Sequence, residues 1–144
     1  MIENIHHACI CVQDMERSLA LYQGVLGMEK VQDTHFEGPM IDRLLELQGA
    51  RFRIVHLKVG GDILELMQFE RPAGEDKARG HRVNDRGLTH FCFTVKDTEE
   101  VFRRLKAEGL AFTCDPVTTP TGRKVAYFRD PDGILVEILQ EAGR

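Results

Sequence analysis

Two short stretches carry the residues that could do chemistry. His7-Ala8-Cys9-Ile10-Cys11-Val12 lies near the start of the chain, and His90-Phe91-Cys92-Phe93-Thr94-Val95 lies past its middle. Each opens on His and reaches an Asp at the same spacing, Asp14 and Asp97. Each half then closes on an apolar stretch holding one Glu: Asp62-Ile63-Leu64-Glu65-Leu66-Met67 and Ile134-Leu135-Val136-Glu137-Ile138-Leu139. A lone His on a strand is commonly a core or surface residue, and a lone Glu commonly faces solvent. Here two imidazoles and two carboxylates recur in matched places. A carboxylate on an otherwise apolar face is costly to desolvate unless something compensates it. A divalent cation does so while accepting neutral His nitrogen and anionic oxygen. His7, Glu65, His90 and Glu137 therefore read as one metal site.

The alternation of these stretches says which way they must point. Ala8, Ile10 and Val12 form an apolar face opposite His7, Cys9 and Cys11. Leu64/Leu66, Phe91/Phe93/Val95 and Ile134/Val136/Ile138 are the corresponding apolar faces elsewhere. Those faces suit packing under a helix, which turns His and Glu to the other side of each strand. Among the remaining histidines, His6 has the wrong phase. His35, His56 and His81 lie in loops or in a strand without a repeat partner, and read as structural or surface residues. A second reading takes His7-x-Cys9 and His90-x-Cys92 as a closed structural zinc site, which leaves both glutamates without a partner.

The elements that position these residues follow in order. Residues 5–12 read as a strand. Asp14 is an N-cap, and Met15, Leu19, Tyr22 and Leu26 form one buried helical stripe that Gly27 ends. Residues 28–50 are the least legible: Glu29–Gln32 reads as a strand, Gly38-Pro39 as a breaker, and Ile41–Leu47 as either a short helix or a loop. Arg53–Val59 and the Glu65 strand form a hairpin through Gly60-Gly61. Residues 71–86, with Pro72, Gly74, Gly80 and dense charge, read as a linker, with a lid as the alternative. The second half repeats the pattern. A helix capped by Asp97 or Thr98 buries Val101, Phe102 and Leu105 and ends at Gly109. Leu110–Cys114 is a strand and Pro116–Gly122 a loop. Lys124–Arg129 is a strand, Asp130-Pro131-Asp132-Gly133 a turn, and Ile134–Leu139 the closing strand.

The expected fold is α+β: two tandem βαβββ modules, residues 1–70 and 87–144, joined by the 71–86 linker in one domain. With 144 residues, 42% hydrophobic and 29% charged, the chain is long enough for a core. A net charge of -4 gives no basic excess for nucleic acid. There is no apolar run of membrane-spanning length and no signal-peptide pattern at the N-terminus. Four cysteines without C-x-x-C spacing read as reduced, buried thiols of a cytoplasmic protein.

These motifs also resemble the vicinal oxygen chelate superfamily, the glyoxalase, bleomycin resistance and dioxygenase proteins. The match lies in the His7 strand with Asp14-Met-Glu-Arg-Ser-Leu-Ala-Leu-Tyr22-Gln-Gly-Val-Leu26-Gly27, the Ile-Leu-Glu65-Leu strand, the Gly-Leu-Thr-His90 strand and the Asp-Pro-Asp-Gly133 to Glu137 hairpin. The resemblance implies mixed sheets forming a cupped half-barrel, helices outside, around a metal with open positions for a chelating substrate. It implies His7, Glu65, His90 and Glu137 as ligands, as in glyoxalase I, of one divalent ion: Zn, Ni, Co, Mn or Fe. It implies Glu65 and Glu137 as the groups that move a proton beside a carbonyl, in a lyase or isomerase of glyoxalase or methylmalonyl-CoA epimerase type, and a homodimer. Extradiol dioxygenases and fosfomycin enzymes use two His and one Glu, so Glu65 speaks against them, and antibiotic-binding members generally lack the ligands. An extradiol-type dioxygenase and a non-catalytic small-molecule binding protein are the alternatives. In bacterial glyoxalase I an Arg on the first strand and an Asn after the second ligand hold glutathione. Cys11 and Phe69 stand at those places here and favour a less charged substrate.

Overall fold

Alternation in the strands and three-to-four spacing in the helices sort this chain into two four-stranded mixed sheets with three α-helices, an α+β fold in which each sheet is open. The computed structural model describes residues 1–143. Its contacts divide after Glu75 into a first unit, Met1–Glu75, and a second that begins at Asp76.

In the first unit β1 (Ala8–Cys11) leads to α1 (Met15–Leu19), which runs on as a π-helical segment over Ala20–Val25. β2 (Glu29–Glu37), α2 (Pro39–Leu45), β3 (Arg51–Val59) and β4 (Asp62–Arg71) follow. The sheet order is β1-β4-β3-β2, with β1 parallel to β4 and the remaining pairs antiparallel. Met15, Leu19, Leu21 and Tyr22 are buried on the helical side, as are Ile10, Val12, Val55, Leu57, Leu64 and Leu66 from the strands. Burying such side chains contributes roughly 1.5–3 kcal/mol each. On the opposite face Ile41 of α2 packs with Ala50 and Phe52. Phe52 continues into a short aromatic row, its ring 5.7 Å from Phe36 and 4.9 Å from Phe69.

The second unit repeats the plan with β5 (Phe91–Thr94), α3 (Thr98–Ala107), β6 (Val117–Thr118), β7 (Lys124–Arg129) and β8 (Leu135–Gln140), ordered β5-β8-β7-β6. Leu105, Phe128, Val136 and Ile138 are fully buried. Phe112 meets Phe102 and Phe128 at 4.6 and 5.4 Å.

Several expectations shift. The helix stripe over 15–26 is only partly α: Leu26 N–H reaches back to Leu21 O, and the π-helical segment keeps Tyr22 buried while lengthening each turn. The illegible 28–50 stretch holds a nine-residue strand and a seven-residue helix. Leu110–Cys114 is not a strand. Only Phe112 bridges to Phe128 there, and the short edge strand forms at Val117–Thr118, inside the expected loop. The cysteines are not buried: Cys9, Cys11, Cys92 and Cys114 are all exposed. Alternation explains the first three of that set, because Cys9, Cys11 and Cys92 share the face opposite the helices.

Residues 72–90 contain no helix or strand. Arg129 ties this segment to the turn before β8 by donating to His81 O at 2.7 Å and to Gly133 O at 2.6 Å. A cleft of about 130 Å³ lies there, lined by Lys77, His81, Thr89, Arg129 and Leu135 among others.

Candidate functional site

Strand register builds the first half of the candidate site. In the parallel β1–β4 pair Cys9 stands opposite Glu65, and in the antiparallel β3–β4 pair His56 stands opposite it. His7 lies one alternation before Cys9, on the same face. Its Nε2 is 3.7 Å from Glu65 Oε1, while His56 Nε2 is 2.6 Å from Glu65 Oε2. Glu65 is 6% exposed, and the His7 and His56 rings stack with centroids 6.0 Å apart. Burial by itself raises the Glu65 carboxyl. Hydrogen bonds from His56 and Cys9 and the nearby His7 outweigh it and hold the group below the usual carboxylate range. Burial and the carboxylate push the Cys9 thiol up to about 12.

The second half follows the same register. Cys92 faces Glu137 across β5–β8, and Tyr127 faces it across β7–β8. His90 Nε2 is 3.2 Å from Glu137 Oε2, and Thr89 Oγ1 lies 2.8 Å from His90 Nδ1. The Tyr127 ring meets the His90 ring edge-on at 5.2 Å. Burial and the Glu137 carboxylate raise the Tyr127 phenol to about 12, and the same causes raise the Cys92 thiol to about 12. Both therefore stay protonated at neutral pH.

The predicted residues thus come together as two His–Glu pairs, His7 with Glu65 and His90 with Glu137. Among the described residues no three His, Cys, Asp or Glu side chains are gathered as a metal-holding group. His56, expected to be a structural or surface residue, is carried by the hairpin onto Glu65. Each glutamate has an imidazole partner: His7 and His56 for Glu65, and His90 for Glu137. His6 Nδ1 contacts His7 Nδ1 at 2.9 Å, and His35 Nε2 lies 3.9 Å from Glu70 Oε1.

Around the first pair the sheet face is apolar. Ile54 stands opposite Met67, and Phe52 opposite Phe69. Phe69 packs on Phe52 and offers no polar group where the glutathione-binding pattern has Asn.

A family model matches residues 4–138, that of the Glyoxalase/Bleomycin resistance protein/Dioxygenase superfamily. The chain belongs to this superfamily. Among its relatives, the uncharacterized protein YwkD of Bacillus subtilis is 27% identical over 143 residues, 98% of this chain and 99% of that one. A lactoylglutathione lyase of Pseudomonas aeruginosa is 28% identical, with 94% of this chain and 81% of the enzyme covered. The crystal structure of a glyoxalase family protein from Bacillus cereus superposes with a TM-score of 0.92 at 23% identity, over 99% of this chain and 97% of that one. Glyoxalase-superfamily proteins thus share the two-sheet fold described above. No helix among the described residues is long and apolar enough to cross a membrane.

Proposed function

We propose that this superfamily member is a divalent-metal-dependent lyase or isomerase that takes a proton from a carbon beside a carbonyl in a small substrate with adjacent oxygens. The observation that carries the reading is the duplicated pairing of an imidazole Nε2 with a carboxylate, at 3.7 Å in one module and 3.2 Å in the other. The donor set fits a borderline divalent ion: two imidazoles and two carboxylates, in which Glu65 is held ionised. His7, Glu65, His90 and Glu137 would hold it, one imidazole and one carboxylate from each module. When bound, such an ion supplies Lewis acidity that stabilises negative charge on a substrate oxygen.

The chain's own residues do the rest. Glu65 or Glu137 is the base that accepts the carbon-bound proton and returns it. The Cys9 and Cys92 thiols and the Tyr127 hydroxyl stay protonated beside those carboxylates and do not serve as nucleophiles. Met67, Ile54 and Phe69 offer an apolar wall to the rest of the substrate, which favours a less charged molecule than glutathione. The relation to a lactoylglutathione lyase supports the reaction class.

The test is Glu137→Gln, with metal content and turnover measured separately. Turnover is assayed on a panel of aldehyde hemithioacetals and acyl-CoA thioesters. Loss of turnover with lowered metal content is expected. Retention of both would overturn the assignment.

A further inference from the structure

The repeat places one more residue beside each glutamate, and its type differs between the modules. Strand register sets His56 of β3 opposite Glu65 and Tyr127 of β7 opposite Glu137. Each sits beside both members of its pair. His56 holds Glu65 Oε2 at 2.6 Å, and its ring stacks on that of His7 at 29°. Tyr127 faces Glu137 across β7–β8 and sets its ring against His90 at 75°. The His56 side chain is only 16% exposed, so its contact with Glu65 is sheltered from competing water.

We propose that His56 and Tyr127 are positioning residues, each fixing the carboxylate and bracing the imidazole of its own pair for metal binding. The proposal rests on the metal reading above. His56 occupies one Glu65 oxygen, Oε2, and leaves Oε1, the oxygen nearer His7 Nε2, to face the ion. Glu65 would then offer that one oxygen to a metal ion. Outer partners of this kind set the aim and basicity of a ligand, and losing one typically weakens metal affinity about 10–100-fold. Because the partner is an imidazole in one module and a phenol in the other, the two glutamates are not interchangeable, although the sequence repeat makes them look so.

A buried carboxylate needs a partner for folding alone, so the test reads metal affinity rather than stability. Chelator-stripped wild type, H56A, H56Q, Y127F and H7A are titrated with Zn²⁺ against a chromophoric chelator, with thermal melting to establish that each is folded. H56A and Y127F should each raise the Zn²⁺ Kd roughly 10–100-fold. H56Q, which keeps an N–H donor within reach of Glu65, should recover most of the loss. If H7A weakens binding but H56A and Y127F bind as wild type, the positioning roles are overturned and the metal reading stands. H56Q no better than H56A would overturn the hydrogen bond as the cause. If H7A itself binds as wild type, the metal reading fails. Should H56A not fold, H56Q and Y127F still decide the matter.

Discussion

Gln68 Oε1 accepts the backbone N–H of Met15 at 2.9 Å, and Gln140 Oε1 accepts that of Thr98 at 3.1 Å. These are the first residues of α1 and α3, whose following N–H groups are served by Asp14 and Asp97. A helix start has several unpaired donors. Here one is satisfied by the local cap and another by the strand that carries the glutamate, since each Gln lies three positions beyond it, in Glu65-Leu-Met-Gln68 and Glu137-Ile-Leu-Gln140. An odd spacing turns Gln to the helix side while Glu turns away. The helix is thereby tied in register to the site strand. Gln68→Ala and Gln140→Ala should each cost about 1 kcal/mol in denaturant unfolding. An unchanged midpoint would show that the tie carries no stability.

The thiols beside the glutamates should be unreactive despite their exposure. A rise from 9.0 to about 12 leaves Cys9 and Cys92 with roughly a thousandfold less thiolate at pH 8. The greater nucleophilicity of a more basic thiolate offsets part of this, leaving alkylation roughly 30-fold slower than a free cysteine. In metal-free protein, iodoacetamide labelling followed by mass spectrometry of each site measures it. Glu65→Gln should speed labelling at Cys9 and leave Cys92 as it was. Labelling of Cys9 at the free-cysteine rate in the parent protein would contradict the carboxylate's hold on the thiol.

What could be read from the sequence was what the repeat duplicates by residue type. His7/His90, Glu65/Glu137 and Asp14/Asp97 are identical pairs on alternating strands, so their faces and elements follow from pattern alone. His56 escaped because the residue in the equivalent place of the second repeat is Tyr127, and symmetry of position without symmetry of type is invisible until the strands are paired. The Gln68/Gln140 pair was available as a repeated Glu-x-x-Gln but lies on the other face. β2 was obscure for a different reason. Most of its nine residues are exposed, so it lacks the one-sided burial that makes alternation readable. Leu110–Cys114 has the residue types of a strand but contributes only one bridge, at Phe112, which serves the core through its ring. The π-helical segment shifts the buried stripe, taking in Leu21 beside Tyr22 and leaving Leu26 half-buried, a change that regular α-helical spacing does not announce.

The turn ahead of Glu137 is a second support for that residue. Asp130 is 5% exposed, and its Oδ1 accepts the N–H groups of Asp132 and Ile134, each at 2.9 Å. Gly133 closes the turn at φ 88°, where an added Cβ would sit 3.3 Å from Arg79 Cγ. Asp130→Ala leaves both donors without that acceptor and should cost about 2 kcal/mol or more. Gly133→Ala forces a side chain into the left-handed region and should cost about 1–2 kcal/mol. Melting temperatures check both. A neutral result at Gly133 would mean the turn relaxes freely around a side chain.

A surface ion pair with two carboxylate partners gives a pH prediction of definite sign. Arg53 holds both oxygens of Asp33 at 2.7 Å and reaches Glu16 at 2.6 Å, joining β3 to β2 and to the start of α1. Its hydrogen bonds, against the opposing effect of burial and with help from Lys30, keep the Asp33 carboxyl well below the usual range. A carboxyl lowered on folding contributes its stability above the unfolded value, near 4, and loses it as pH falls through the folded one. Solvent screening limits the size, so Asp33→Asn should cost about 1 kcal/mol or less at neutral pH. The gap between wild type and variant should be constant from about pH 8 to 5, narrow below about pH 4, and shrink with added salt. Urea unfolding across pH measures it, and a gap that widens in acid would show that Asp33 is not stabilised as its charged form.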